Sequence, residues 1–392
     1  MTNILIEGEH ISSYDLTVIA FERYSKHIPI DVRPILTRHI TREDIKWCDI
    51  FLSVRGSNPL SEYLCRYAKK NNRKVILVLD DDLLEYTSNE HRLYEKIRKQ
   101  SLRSVISLSD VILTPSIYLG EKYKKQFSRG YVLINTVVEP EDFKTNHIDD
   151  SKVRLVYASG HMYHFQQLIM PILKKVFEKY GDKISLTIIG VKPDLTDKSI
   201  PMEFVPQMQL HEYREFMKTR SFDIGFAPLI DTEMTRSKYF NKYLEYTIQG
   251  ICGIYSNNLP YSSAVKNGVN GILAENSPEF WYEAICKLID TPDLRKECVI
   301  NAQNELKANF SIRNILNHLC TDFPDLVTYK ANNNIKFGFK MPSFPLFLTI
   351  ELIRRILKRL IWLCIKIVNI YILLCDLRTY EKKCFIHSWQ FE

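Results

Sequence analysis

Short apolar segments alternate with amphipathic helical segments along most of the chain, and this alternation constrains the fold more than any other feature. KVILVLD (Lys74–Asp80) and RLVYASG (Arg154–Gly160) are apolar over most of their length, without alternating polar positions. Parallel strands buried on both faces have this pattern. Strands that alternate with helices form βαβ units, so the sequence predicts an α/β fold with parallel sheets.

The predicted strands form two series, separated by a polar segment without periodicity, EPEDFKTNHIDDS (Glu139–Ser151). The first series comprises Asn3–Gly8, Asp49–Val54, Lys74–Asp80, Val111–Pro115 and Tyr131–Asn135; the second comprises Arg154–Gly160, Ser185–Gly190, Asp223–Pro228, Ile251–Ser256 and Gly271–Ala274. The chain has 392 residues, which is long for one core. We therefore expect two Rossmann-like, doubly wound domains that face a cleft, because ligands bind beyond the carboxyl ends of such strands and at domain interfaces.

The domain boundaries follow from this division of the chain. We expect a first domain over 1–140, a linker over 141–152, a second domain over 153–310, a helix and connection over 311–335, and a tail over 336–392.

Charge and cysteine usage narrow the possible functions. From residue 336 onward there are 10 Lys and Arg against 4 Asp and Glu, a net charge of +6, whereas the preceding residues carry 43 against 42, a net charge of +1. A nearly neutral body argues against nucleic-acid binding and leaves a special role for the basic tail. The nine cysteines form no CxxC pair, which favours a reducing cytoplasm over a disulfide framework or structural zinc site.

The segment SKYFNKYLEYTIQG (Ser237–Gly250) is a predicted helix with an unusual pair of charges. We expect it to begin at Ser237 or Lys238 and to end at Gly250 as the C′ residue. Lys242 and Glu245 are i,i+3 neighbours among apolar residues. A helix N-terminus and a lysine favour a phosphate, and a carboxylate can accept hydrogen bonds from a ribose diol. The simpler alternative is a surface ion pair, worth about 0.3–0.5 kcal/mol.

The second domain resembles a known family over most of its length. The similarity is carried by FDIGFAPLIDTEMTRSKYFNKYLEYTIQGICGIYS followed by NGVNGILAEN, and upstream by VYASGHMYHFQQLIMPIL and SLTIIG. The first domain is similar more loosely, at SDVILTPSIYLGEKY and VLINTVVEPEDF, and the last 55 or so residues are not similar. The chain resembles the retaining GT-B glycosyltransferases of the large group 1 family, family four in the carbohydrate-enzyme classification.

The resemblance implies roles for individual residues. It implies that SIRNILNHLCTDF (Ser311–Phe323) crosses back to the first domain. By the resemblance, the donor-binding residues are Lys242 facing the diphosphate, Glu245 facing the ribose, Gly160 and His161 in a loop near the phosphates, and Val205 and Pro206 packing on the base. Typical members carry a further glutamate eight residues before the ribose one. Here Ser237 takes that position, and Glu233 is the nearest upstream acid.

The resemblance also implies a mechanism. It implies transfer with retention of anomeric configuration and without a metal or other cofactor. The leaving diphosphate oxygen takes the proton of the acceptor. The protein then stabilises charge on the diphosphate, for which Lys242 and the helix N-terminus are the candidates.

Further polar residues have two interpretations each. Asp80, Asp81 and Asp82 follow a strand and suit either a Mg²⁺ site or, as we favour, a polar strand end, with Asp81 near the acceptor. His91 and His164 are interpreted as structural or positioning histidines, with general base as the alternative. Gly8 allows either close approach of GEHISS to the donor phosphates or a tight turn without a ligand.

The tail contains an amphipathic basic helix, TIELIRRILKRLIWLCIKIVNIYILLCD (Thr349–Asp376). Its charged and polar residues fall within an arc of about 140°. We expect 344–376 to lie on an anionic membrane surface, with spanning or packing against protein as alternatives. Leu360–Cys375 has 16 residues and includes Lys366, whereas spanning needs about 20.

Together these features predict a glycosyltransferase, peripheral on the cytoplasmic face of the inner cell membrane. It would move a hexose from a nucleotide-sugar donor to a glycan or polyprenyl-linked acceptor, in cell-surface polysaccharide or lipopolysaccharide biosynthesis. The alternatives are a GT-B sugar-nucleotide epimerase and a catalytically silent binding or scaffold protein.

Overall fold

The chain folds into two lobes, each built on a parallel β-sheet of six strands within the described residues. The structure is a computed structural model and describes residues 1–86, 92–144, 152–193 and 200–332. All strand pairs in the two sheets are parallel, as the uninterrupted apolar segments predict.

The first lobe contains residues 2–133 in alternating strands and helices. Its strands are β1 (Thr2–Gly8), β2 (Ile30–Leu36), β3 (Ile50–Val54), β4 (Lys74–Val78), β5 (Val111–Thr114) and β6 (Tyr131–Leu133), in the order β2-β1-β3-β4-β5-β6. Its helices are α1 (Ser12–Tyr24), α2 (Arg42–Trp47), α3 (Pro59–Lys70), α4 (Arg92–Leu108) and α5 (Ile117–Phe127). Short 3-10 turns cover Thr37–His39 and Pro140–Asp142.

The second lobe repeats this plan from residue 153. Its strands are β7 (Val153–Ser159), β8 (Ile184–Gly190), β9 (Glu203–Pro206), β10 (Ile224–Ala227), β11 (Cys252–Ser256) and β12 (Ile272–Ala274), in the order β12-β11-β10-β7-β8-β9. Its helices are α6 (Tyr163–Leu168), α7 (Met170–Tyr180), α8 (Leu210–Thr219), α9 (Glu233–Arg236), α10 (Asn241–Ile248), α11 (Pro278–Asp290) and α12 (Pro292–Asn309), with 3-10 turns at Gly181–Lys183 and Tyr261–Ser263. The helices α13 (Ile312–Asp322) and α14 (Asp325–Thr328) follow in the chain and pack on the first lobe.

Helices cover both faces of the second sheet, which explains why its strands are apolar throughout. Leu155 and Tyr157 of β7 lie in one core cluster with residues of α6, α7 and α11. Val156 and Ala158, the alternate positions of the same strand, lie in a second cluster with Tyr243 of α10 and other residues. Successive side chains point to opposite faces of a strand, so a strand covered on both sides needs apolar residues at both sets of positions.

The chain passes between the lobes twice, and the two passages are neighbours. After α12 the chain returns, and α13 packs into the core of the first lobe with Ile315, Leu316 and Leu319. The Val138 N–H donates to the Phe310 carbonyl oxygen at 2.9 Å, which joins the outgoing and the returning segments.

Strand order reverses between β1 and β3 in the first sheet and between β7 and β10 in the second. Doubly wound sheets bind ligands beyond the carboxyl ends of the strands at such points. The segments that follow β1, β3, β7 and β10 are therefore the places to look for a site.

Candidate functional site

The helix that carries Lys242 and Glu245 is shorter than the sequence predicts. It begins at Asn241, not at Ser237 or Lys238, because Ser237 already ends the preceding short helix α9. Its end is where the sequence predicts: Gly250 has a φ of +67°, a conformation that glycine adopts readily. The N–H groups of Gly250 and Ile251 donate to the carbonyl oxygens of Thr247 and Tyr246, which forms a Schellman motif.

Lys242 and Glu245 form an ion pair against tyrosine rings. The Lys242 Nζ lies 2.5 Å from Glu245 Oε2, 5.3 Å from the centre of the Tyr213 ring and 5.9 Å from that of Tyr246. Burial alone would lower the pKa of Lys242, but the charge and hydrogen bond of Glu245 together with the neighbouring tyrosines raise that pKa above its ordinary value. The side chains are 23% and 37% exposed, so the pair is neither sealed in the core nor aimed wholly at solvent.

Tyr213 of α8 fixes the carboxylate of this pair. Its hydroxyl donates to Glu245 Oε2 at 3.3 Å. Burial, followed by the charge of Glu245, holds the pKa of Tyr213 well above its ordinary value, so this hydroxyl stays a donor. Val205 and Met208 pack into the same cluster as Tyr213, whereas Pro206 at the end of β9 is exposed. The segment predicted to contact a base therefore lies beside the predicted ribose ligand.

Gly160 and His161 follow β7 and are both exposed. The Tyr157 hydroxyl donates to the His161 carbonyl oxygen at 2.6 Å, and the His161 N–H donates to Ser159 Oγ at 3.1 Å. Burial raises the pKa of Tyr157, while Ser159 and the positive charge of Lys242 oppose this rise. The charge of Lys242 thus acts on Tyr157, near the end of β7. We expect this if Lys242 and the loop of Gly160 and His161 contribute to one site.

Charged side chains of the first lobe meet the second lobe at the end of β4. Arg55 donates to Asp80 through Nε and a terminal nitrogen at 2.7 and 2.8 Å, and the same nitrogen lies 3.0 Å from Asp81 Oδ2. Lys238 of the second lobe lies 3.2 Å from Asp81 Oδ1. Burial would raise the pKa of Asp80, but the charge and hydrogen bonds of Arg55, together with the Ser13 hydroxyl and a backbone hydrogen bond, lower that pKa. Asp81 thus contacts one cation of each lobe, and its contact with an acceptor stays a prediction.

Asp82, by contrast, belongs to the interior of the first lobe. Its Oδ2 lies 2.8 Å from Lys122 Nζ, and its Oδ1 accepts a bond of 2.8 Å from the Tyr123 hydroxyl. All three aspartates are thus bonded to cationic side chains of the chain itself, as at a polar strand end. In the described ranges, no group of three or more His, Cys, Asp or Glu is arranged to hold a metal ion.

Ser237 and Glu233 are both engaged within the protein. Ser237 is fully buried, and its hydroxyl donates to the Glu233 carbonyl oxygen at 3.0 Å. The Glu233 carboxylate accepts from the Tyr118 hydroxyl at 2.8 Å and lies 3.2 Å from Lys122 Nζ, both in the first lobe. In this arrangement Glu233 bridges the two lobes.

His164 and Gly8 have structural surroundings. Nδ1 of His164 accepts from the Ile230 N–H at 3.2 Å. Burial, then the charges of Lys238 and His161, lower the pKa of His164. A Cβ on Gly8 would lie 2.5 Å from the Tyr14 ring, so the absence of a side chain there makes room for that ring.

Two predictions fall outside the described residues: His91 and the amphipathic tail over 344–376. Among the helices that are described, we find none with the length and apolar character that crossing a bilayer requires.

Sequence reasoning missed Arg55, Lys238 and Tyr213 as site residues. Arg55 has a φ of +63°, unusual for a residue other than glycine and a frequent sign of a functional position. No periodicity marks such a residue in the sequence.

No protein-family model matches the chain, and no curated protein is similar to it in sequence. Solved structures are nevertheless similar in fold. The Anabaena protein HepE, in complex with UDP and glucose, has a TM-score of 0.59 at 12% identity, covering 83% of this chain and 100% of its own. Sucrose-phosphate synthase from Thermosynechococcus elongatus has a TM-score of 0.58 at 10% identity, covering 83% and 99%. A glycosyltransferase from Rickettsia africae has a TM-score of 0.56 at 13% identity, covering 84% and 99%. The two lobes of this chain therefore form a GT-B fold.

Proposed function

We propose that the chain is a glycosyltransferase that moves a hexose from a nucleotide-sugar donor to a glycan or polyprenyl-linked acceptor. The observation that carries this proposal is the Lys242–Glu245 pair, set among tyrosines beside the exposed loop after β7 in a GT-B fold. UDP in the structures of HepE and of an alpha-glucosyltransferase of similar fold supports a nucleotide donor.

The chemical step that suits this site is front-face transfer with retention of configuration. The bond between the anomeric carbon and the diphosphate oxygen breaks, the acceptor oxygen bonds to that carbon from the same face, and the acceptor proton passes to the leaving diphosphate. Negative charge develops on the diphosphate. Lys242, kept protonated by Glu245, and the N–H groups at the start of α10 stabilise that charge without a metal ion.

Replacing the two residues separately tests the site. We expect Lys242→Ala to lower kcat by about 100-fold or more, because one preorganised donor is lost. We expect Glu245→Ala to weaken binding of UDP-sugars by roughly 10-fold, because the ribose hydroxyls lose a charged acceptor. Lys218→Ala and Glu215→Ala are matched controls, since they break another i,i+3 pair of the same lobe, on α8.

The measurements are calorimetric titration with UDP, GDP and ADP sugars and release of free nucleotide with and without acceptor. Nucleotide release that rises with acceptor supports transfer, whereas sugar interconversion without release indicates an epimerase. Binding without either reaction indicates a silent binding protein. Unchanged binding and turnover in both site variants would refute the assignment of Lys242 and Glu245.

We further propose that the protein works at the cytoplasmic face of the inner membrane, in cell-surface polysaccharide or lipopolysaccharide biosynthesis. The basic amphipathic segment over 344–376 supports this, since such a helix binds anionic headgroups and would bring the site close to a lipid-linked acceptor. Truncation after Asn334 should abolish co-sedimentation with vesicles that contain phosphatidylglycerol. Equal sedimentation of the full-length and truncated proteins would exclude the tail as the anchor.

A further inference from the structure

Lys238 contacts both sides of the candidate site. It lies in the connection between α9 and α10, in the second lobe, and its Nζ is 3.2 Å from Asp81 Oδ1 in the first lobe. Its charge also contributes, after the larger effect of burial, to lowering the pKa of His164, which follows the loop after β7. Its ammonium therefore contacts the acceptor-side carboxylate and acts on a histidine that follows the loop proposed to face the donor phosphates.

Asp81 does not depend on Lys238 for its position. Its other oxygen lies 3.0 Å from a terminal nitrogen of Arg55, and Arg55 is held in turn by two bonds to Asp80. Removal of Lys238 would leave Asp81 oriented and one of its oxygens available. Lysine suits such a change of partner because its charge sits on a flexible four-carbon stem.

The Lys238–Asp81 pair is partly exposed, with side-chain exposures of 32% and 24%. Partly exposed pairs stabilise a fold little, since solvent screens them. A diphosphate carries more negative charge than a carboxylate and offers several acceptor oxygens. It can therefore compete successfully for this ammonium.

We propose that Lys238 exchanges partners during the reaction cycle, leaving Asp81 for the diphosphate of a bound nucleotide. The vacated Asp81 Oδ1 then accepts a hydrogen bond from a hydroxyl of the acceptor other than the reacting one, whose proton passes to the diphosphate. This inference rests on the proposed function. It assigns Lys238 to binding of the donor substrate and Asp81 to binding of the acceptor substrate, and Asp81 becomes available only when the donor has bound. Donor binding therefore precedes acceptor binding.

The exchange predicts that losing a carboxylate strengthens nucleotide binding. In calorimetric titrations with UDP, GDP and ADP, we expect Lys238→Gln to weaken binding by roughly 10- to 100-fold, because a charge-assisted hydrogen bond is lost. We expect Asp81→Asn to strengthen binding by up to about fivefold, because Lys238 no longer has to leave an ion pair. The double variant should bind like Lys238→Gln, and Lys238→Arg should bind like the parent chain.

Matched controls separate this effect from a general change in charge. Lys287→Gln on α11 removes an exposed lysine of the second lobe, and Asp322→Asn on α13 removes an exposed carboxylate. Neither should change nucleotide affinity. Circular dichroism and thermal unfolding establish that each variant is folded.

A second measurement does not need the Asp81 variant to fold. Reductive ¹³C-methylation of the parent chain gives Lys238 a resonance that the Lys238→Arg variant assigns. We expect this resonance to shift on addition of UDP, because the ammonium changes its partner.

The possible results distinguish failure of the proposed function from failure of the exchange alone. If none of the three nucleotides binds the parent chain, the proposed function fails and the exchange fails with it. If a nucleotide binds but Asp81→Asn binds it no better, or Lys238→Gln binds it equally well, the exchange is refuted while the proposed function survives. An unshifted Lys238 resonance in the presence of bound nucleotide refutes it as well.

Discussion

Glu7 is a carboxyl group inside the first lobe, one residue before the end of β1. It accepts hydrogen bonds from the hydroxyls of Thr37, Ser53 and Ser61 and has no accessible surface. Burial raises the pKa of Glu7, and the hydroxyls oppose this rise without cancelling it. The folded chain thus keeps a proton on this group at pH values where the unfolded chain has released it.

The Glu7→Gln variant tests this description through the pH dependence of stability. The pKa of Glu7 in the folded chain lies above the ordinary value of 4.5. The favourable contribution of Glu7 to the free energy of unfolding is therefore fully present below pH 4.5 and is lost as the pH rises through the folded pKa. Glutamine does not titrate, so Glu7→Gln should gain stability relative to the parent chain over that window. Urea unfolding between pH 4 and pH 8 measures the difference.

Gln126→Asn on α5 serves as the control, since it exchanges one exposed amide side chain for another and neither titrates. Its stability relative to the parent chain should not vary with pH. A Glu7→Gln variant that follows the parent chain at every pH would contradict a raised pKa at Glu7.

The residues of the candidate site differ in how readily the sequence alone predicts them. Lys242 and Glu245 are three positions apart, so a helical pattern alone brings them together. Arg55 and Lys238 acquire their role from Asp81, which lies 26 and 157 positions away from them. The contact of Lys238 with Asp81 crosses between the lobes, and that of Arg55 with Asp81 joins the ends of two neighbouring strands; one sequence without relatives holds no signal for either contact.

At the scale of elements, the ends of β7 and β8 hold the loop of Gly160 and His161 in place. Gly190, the last residue of β8, has a φ of +117°, and a Cβ there would lie 2.1 Å from the Ser159 carbonyl oxygen. Ser159 also accepts from the His161 N–H. Glycine at 190 thus allows the two strand ends to approach one another.

Gly190→Ala should therefore harm both stability and nucleotide binding. The added methyl group meets backbone, which has to move, and the positive φ adds strain. We expect a loss of about 2 kcal/mol or more in the free energy of unfolding, with weaker UDP binding because the Ser159–His161 loop shifts. Chemical denaturation and calorimetry measure these two effects.

The matched control is Gly130→Ala, where a Cβ meets nothing within 4 Å. That variant should retain the stability and the UDP affinity of the parent chain. If Gly190→Ala is as stable as Gly130→Ala, the close approach at Ser159 does not constrain the loop.

The ten predicted strands are all present in the described residues, with ends that differ by a few positions. β2 and β9 were not predicted as strands. β2 is an edge strand that contains Pro34 and several exposed positions, so it lacks the apolar pattern of a buried strand. β9 is also an edge strand, has only four residues and is exposed at Glu203 and Pro206. Neither strand has the apolar segment by which the other ten strands are predicted.

At the scale of the whole molecule, the C-terminal part of the described chain completes the first lobe. Leu319 of α13 is 1% exposed and belongs to the same core cluster as Ile4 and Ile6 of β1. The core of the first lobe thus requires a helix that follows the entire second lobe in sequence.

Leu319→Ala should therefore destabilise the lobe that is distant in sequence. We expect a cost of about 2–5 kcal/mol, because a buried leucine is replaced by a cavity. Amide hydrogen exchange should accelerate in β1 and β3, while β7 and β8 keep their protection. His318→Ala changes an exposed position on the same helix and should leave the exchange rates in both pairs of strands unchanged. Faster exchange in β7 and β8 alone would contradict the placement of α13.

The neighbouring passages between the lobes, joined by the bond from Val138 to Phe310, have a mechanical consequence. One covalent connection would act as a swivel, about which the lobes could twist freely. Two connections side by side resist twisting more than one does, so we expect any relative motion of the lobes to be mainly bending at these passages. Such bending would bring Lys238 and Asp81 back to each other each time the lobes close.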